Sequence, residues 1–227
     1  MANVILFGNG KGGVGKSTLC ENVAAVRASL KYRTAIFDLD WRQMTTAKWV
    51  MARKEKPELA GIDVAVLPDR EVPDIDEYIE YFGLRLNEMM HEYDDVFVEV
   101  GGQDGELLRA AMTVADKIVA PIIPSPADFN TVPDFANLVR SFKKKLDVSV
   151  VLNEANESPK LTRDIVEGMK DYEDAFGLFK TQIGQRVAFK YAMARGEAVH
   201  EIPTKRLGFD AAAAHEIKDL YLEIFGR

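Results

Sequence analysis

Seven short stretches of the chain read as strands, and several of them are apolar throughout rather than at every second position. The seven are VILF (4–7), TAIFDL (34–39), IDVAVL (62–67), DVFVEV (95–100), KIVAPII (117–123), VSVVLN (148–153) and LFKTQI (178–183). An alternating strand has one wet face, whereas a strand apolar throughout is covered on both faces, as in a parallel sheet between helical layers. The segments between these runs carry a helical period. In the first, Leu19, Val23, Val26 and Leu30 recur at intervals of three and four, which lays an apolar stripe against the sheet. No repeat, low-complexity tract or linker interrupts the alternation. The pattern predicts an α/β fold, a single doubly wound, mostly parallel sheet flanked by helices, forming one domain over residues 1–227.

Composition narrows this little further. With 227 residues, 47% hydrophobic, the chain is long enough to bury a sizeable core, and 29% charged residues with ordinary Gly and Pro content argue against disorder. The one cysteine, Cys20, excludes a disulfide within the chain and any thiol cluster for zinc or iron–sulfur binding. No apolar run approaches the roughly 18 residues of a membrane span, and no basic stretch precedes VILF. A soluble, cytoplasmic protein is expected. The net charge of −7 argues against a surface coated by nucleic acid but permits a local basic patch.

Two motifs overlap after the first strand. Gly8, Gly10 and Gly13 spell G-x-G-x-x-G, with Asp38 about twenty-five residues on, as in a dinucleotide fingerprint. Gly10, Gly15, Lys16 and Ser17 spell G-x-x-x-x-G-K-S, a nucleotide phosphate loop. The second is the more specific, since the first needs only glycines and gives Lys16 and Ser17 no task. Glycines let successive backbone N–H groups curl around phosphate oxygens at the positive end of the following helix. Lys16 then reaches the β- and γ-phosphates, and the Ser17 hydroxyl ligates Mg²⁺.

Lys11 has no role in an ordinary phosphate loop. KGGVGKST, residues 11–18, resembles the deviant Walker A motif of the ParA/MinD family of P-loop ATPases. The resemblance runs from about residue 3 to about 200 and is closest to the short plasmid-partition type, which lacks an N-terminal helix-turn-helix. It implies ATP and Mg²⁺ as cofactors and an ATP-dependent homodimer in which Lys11 acts in trans, like an arginine finger, on the partner's nucleotide. Gly10, Lys11, Gly12, Gly13, Val14, Gly15, Lys16, Ser17 and Thr18 would form the nucleotide loop. Asp38 and Asp40 in AIFDLDWRQ resemble the family's first switch: Asp40 positions or activates the attacking water and Asp38 lies near the metal, with Trp41 in place of the usual proline. Lys11, Lys16 and Asp40 are thus the implied catalytic residues. DDVFVEVGGQDG resembles the Walker B strand and second switch, with Glu99 where the family has Asp. One methylene longer, Glu99 still reaches a metal-bound water, so the departure bears on hydrolysis rate more than on binding. Gly101 and Gly102 give the next loop freedom to respond to the γ-phosphate. In PIIPSPADF, Asp128 is expected to cap a helix, with a dimer-interface role as the alternative. Asn153 would pair with the adenine edge.

The resemblance also implies nonspecific DNA binding by the ATP-bound dimer and a small cargo-bound DNA-binding partner, ParB-like or ribbon-helix-helix. Basic residues gather in the second half; Arg163, Arg186, Lys190 and Arg195 are the DNA candidates, against the alternative of an ordinary solvated face. The C-terminal stripe Ile217, Leu220, Tyr221, Ile224 and Phe225 is flanked by Glu216, Asp219 and Glu223, which anionic lipid repels. It reads as a helix packed onto the fold, with no membrane partner. The expected function is a ParA-like, nucleoid-associated ATPase for plasmid or chromosome partition. The alternatives are a related ATPase positioning a protein complex or division site, and a metabolic P-loop ligase.

Overall fold

The computed structural model describes residues 1–69, 74–102, 105–155 and 159–226. All seven stretches are strands: β1 Asn3–Phe7, β2 Thr34–Asp38, β3 Asp63–Val66, β4 Asp95–Glu99, β5 Lys117–Ile122, β6 Val148–Asn153 and β7 Gly177–Ile183. The helices described are α1 Lys16–Ser29, α2 Thr45–Lys54, α3 Ile75–Glu92, α4 Gly105–Val114, α5 Pro126–Phe129, α6 Val132–Arg140, α7 Pro159–Met169, α8 Val187–Ala194 and α9 Ala211–Phe225. The strands form one sheet in the order β3-β2-β4-β1-β5-β6-β7, every pair parallel.

Both faces of the sheet are covered, which is why the central strands do not alternate in polarity, whereas the edge strand β7 keeps Lys180 and Gln182 exposed between buried Phe179 and Ile183. In β1, Val4 and Leu6 point into one core with α3, α4, α6 and α7, while Ile5 and Phe7 point into the other with α1, α2, α8 and α9. Helix α9 lays Ile217, Leu220, Tyr221 and Ile224 into the second core, so the expected C-terminal stripe is indeed packed against the fold. Each such side chain contributes about 1.5–3 kcal/mol of burial. The α1 stripe differs from expectation. Leu30 lies at the helix C-cap and is exposed, while Cys20, Glu21, Asn22 and Arg27 are buried, because α9 and α2 cover the outer side of α1.

Because every strand pair is parallel, all C-terminal strand ends meet at one edge. Register makes the alignment close: Phe7 lies opposite Glu99, and Glu99 opposite Asp38. The chain leaves β1 level with two carboxylates, at the edge where doubly wound sheets bind ligands. Among the described residues no helix is long and apolar enough to cross a membrane.

Candidate nucleotide site

The turn between β1 and α1 is held open by bonds that the rest of the fold supplies. Asn9, buried, donates from Nδ2 to the Pro121 carbonyl (2.8 Å) and accepts the Lys11 amide (3.1 Å), tying the loop to β5. Gly13 and Gly15 have φ of 78° and 97°, the left-handed region that glycine tolerates. At Gly15 space also forbids a side chain: a Cβ would lie 2.1 Å from Asn153 Nδ2. Gly15 is the N-cap of α1 and offers no side-chain hydrogen bond, so the first amides of the helix point into the loop without a side-chain cap. Lys16 spans the loop and donates from Nζ to the Lys11 carbonyl (2.8 Å). Gly102 closes the other side, where a Cβ would meet Gly12 N at 2.5 Å.

Facing this cradle is an excess of buried carboxyl groups. Asp38 accepts the amides of Asp40 (3.0 Å) and Ala47 (2.9 Å), yet burial, reinforced by Asp40, pushes its pKa up to about 6. Glu99 is pushed up to about 8 by burial and then by Asp38, against the pull of Lys16 and a hydrogen bond from Ser17. Its Oε2 is buried and has no hydrogen-bond partner. Lys16 is driven down by burial, opposed by Glu99 and Asp40. A third acid, Glu21 of α1, is held well above the usual carboxylate range by burial and by Glu99, and it accepts a hydrogen bond from Thr46 Oγ1 at 3.4 Å.

A divalent cation fits this arrangement. The Walker A serine and the orphaned acid already touch, and the local charge is short of cations. No three His, Cys, Asp or Glu side chains converge as a ready cage among the described residues. Most ligands would therefore come from phosphate and water, which is how Mg²⁺ is usually held.

The sequence model of the family described as ATPase MipZ matches residues 3–227. The chain belongs to this family. MipZ is a deviant Walker A ATPase of the ParA/MinD type, as the lysine pair Lys11 and Lys16 requires. Among solved structures, apo McdA of Cyanothece is 16% identical over 100% of both chains, with a TM-score of 0.76. The MinC:MinD cell division complex of Aquifex aeolicus is 18% identical over 100% of this chain and 97% of that one, TM-score 0.72. A plasmid partition protein from Borrelia burgdorferi is 16% identical over 99% and 97%, TM-score 0.69. At these identities the likeness is one of fold.

The MipZ-family frame brings the implied nucleotide residues together. Gly10 to Thr18, Asp38, Asp40, Glu99 and Asn153 all sit at the C-terminal strand edge, in the loops leaving it or in the first turn of α1. Several are engaged differently from expectation. Asn153 donates to the Val14 carbonyl (2.9 Å), so its amide braces the phosphate loop here. Ser125, not Asp128, is the N-cap of α5: its Oγ accepts the Asp128 amide (3.1 Å), with Pro126 at the first helical position. Asp128 instead pairs with Lys11 Nζ at 2.9 Å, so Lys11 is neither a free loop lysine nor turned outward. Trp41 packs on Tyr78 of α3 with ring centroids 6.0 Å apart, fixing the switch where the family has proline. Residues 103 and 104 of the second switch lie outside the described residues.

The DNA candidates fare differently. Arg163 is on α7 in one layer, and Arg186, Lys190 and Arg195 border or lie on α8 in the other. Arg186 is also occupied, bonded to Glu216 (2.5 and 3.0 Å) and Asp210 (3.3 Å). Four residues close in sequence therefore do not make one patch. Asn9 and Glu21 were invisible to motif reading, because one anchors the loop through backbone partners and the other acquires its surroundings only when α1, α2 and β4 converge.

Proposed function

We propose that this chain is an ATP-driven switch that partitions DNA, plasmid or chromosome, with residues 1–227 acting as one ATPase domain in the cytoplasm. The observation that carries the reading is the conjunction at the strand edge: an open phosphate cradle level with Glu99, whose Oε2 is buried and unpartnered beside Ser17. Backbone amides from Gly12 to Thr18 hold the phosphates of ATP, and Lys16 exchanges the Lys11 carbonyl for their oxygens. Ser17 would hold Mg²⁺ directly, and Asp38 and Glu99 through water; the ion offsets phosphate charge when bound. Asp40 orients a water toward the γ-phosphorus. Attack breaks the bond to the bridging oxygen and leaves ADP and phosphate. Lys11 leaves Asp128 and reaches the phosphates of a second subunit, so that ATP closes a homodimer. The dimer binds DNA without sequence preference, and a small cargo-bound DNA-binding protein stimulates hydrolysis.

Retention on random-sequence duplex DNA, with ADP or with a non-hydrolysable ATP analogue across a salt titration, tests this reading. Binding only with the analogue, falling steeply with salt, is expected. Dimerisation with the analogue but no retention would transfer the reading to a protein cargo. That second reading is favoured by one observation: the separation of Arg163 from α8 and the occupation of Arg186 leave no continuous basic face among the proposed residues.

A further inference from the structure

One surface lies apart from the nucleotide site, on α8 and the loop that follows it; two of its residues, Lys190 and Arg195, are also DNA candidates, whereas its exposed apolar side chains have no task in the switch. On α8, Val187 and Lys190 lie three residues apart and are both exposed, Val187 at 63%, with Tyr191 half-buried beside them. Beside them the loop 203–210, PTKRLGFD, displays Leu207 at 66% and Phe209 at 39% exposure. The loop is held in shape. Gly208, at φ 97°, rests on Tyr191 so closely that a Cβ would lie 2.7 Å from the Tyr191 Cβ. Arg195 donates to the Leu207 carbonyl (2.9 Å), and Arg206 pairs with buried Glu197. The Arg206 amide bonds Pro203 O (2.8 Å), and the Phe209 amide bonds Arg206 O (3.1 Å). Asp210 then caps α9 through the amides of Ala212 and Ala213. Exposed leucine and phenylalanine on a braced loop can bind without a further ordering cost.

The geometry points to a docking site for an acidic segment of a partner protein that carries apolar anchors. Local charge selects an acidic partner: Lys190 and Lys205 are exposed, with no ion pair among the described residues. The apolar side chains select a protein. Duplex phosphates would satisfy the lysines but leave Leu207 and Val187 with nothing to cover them. The three exposed apolar side chains fall well short of the roughly 800 Å² per partner of a stable globular interface, which fits a short segment rather than a second copy of the chain.

Selection from a displayed library of random peptides on the immobilised full-length chain, without nucleotide, tests the site independently of ATP binding. Enrichment of peptides combining Asp or Glu with Leu, Ile or Phe is expected. A synthetic enriched peptide should lose about tenfold or more in affinity against Leu207→Ser and against Lys190→Glu. Both positions are exposed, and an unchanged melting temperature certifies the variants' fold. No acidic–apolar enrichment, or binding unchanged in both variants, overturns the site. Two parallel titrations separate other occupants. Random duplex DNA bound with a dependence on Lys190 but not Leu207, in place of peptide, or vesicles of phosphatidylglycerol and phosphatidylcholine bound through Leu207, would overturn it in favour of a polyanion or a lipid surface.

Discussion

At Glu99 burial and the neighbouring Asp38 raise the carboxyl pKa, and Lys16 only partly opposes them, leaving it at about 8 with Asp38 at about 6. Both lie above their ordinary values of 4.5 and 3.8. The folded, nucleotide-free chain therefore binds protons that the unfolded chain has released. The contribution of these two groups then falls as pH rises from about 4 to about 8. Glu99→Gln should make this slope shallower and raise the melting temperature at pH 8, by about 2–4 °C for each kcal/mol relieved. Melting curves across this window check it; equal slopes for parent and variant would mean that Glu99 is already ionised. Much of the residue-scale site was legible. Gly15, Lys16 and Ser17 have to be consecutive because the loop and the helix start are consecutive. Glu21 was not legible, because a glutamate in a helix reads as solvated until a second helix covers it.

At the scale of elements, α2 follows the first switch and is clamped to the segment after α8. Arg53 makes a bidentate pair with Glu201 (2.6 and 2.7 Å) and donates to Gly196 O (3.3 Å), while Trp49 Nε1 donates to Glu197 O (3.1 Å). The Arg53 side chain is only 2% exposed. Arg53→Met should cost about 3–5 kcal/mol because it strands Glu201, and the double change with Glu201→Leu should recover much of that. Urea unfolding midpoints distinguish this from a weak surface pair, for which the single variant would lose under about 1 kcal/mol. The central strands were plain from the sequence, since burial on both faces writes a nearly unbroken apolar run. The expected cap at Asp128 was one turn late: α5 already starts at Pro126, which puts Asp128 inside the helix and leaves Ser125 to cap it, while Asp128 pairs with Lys11.

At the scale of the molecule, Lys11 is held within its own chain by Asp128, so any role in a second subunit requires that pair to open. Lys11→Ala should stay monomeric by light scattering with a non-hydrolysable ATP analogue, while its nucleotide affinity changes by less than about tenfold, since Lys16 and the loop amides remain. A variant that dimerises as the parent does would remove Lys11 from the interface. The sequence by itself determined the parallel sheet, the phosphate loop and the acids at the ends of β2 and β4, because each is written in consecutive residues whose period or chemistry is local. Only the tertiary structure decided which basic residues share a face, what Lys11 and Asn153 touch, and that Glu99 is left with an unpartnered oxygen. Those facts depend on which layer each helix joins and on partners more than a hundred positions apart, such as Asn153 and Val14 or Lys11 and Asp128, that meet only when the strands assemble.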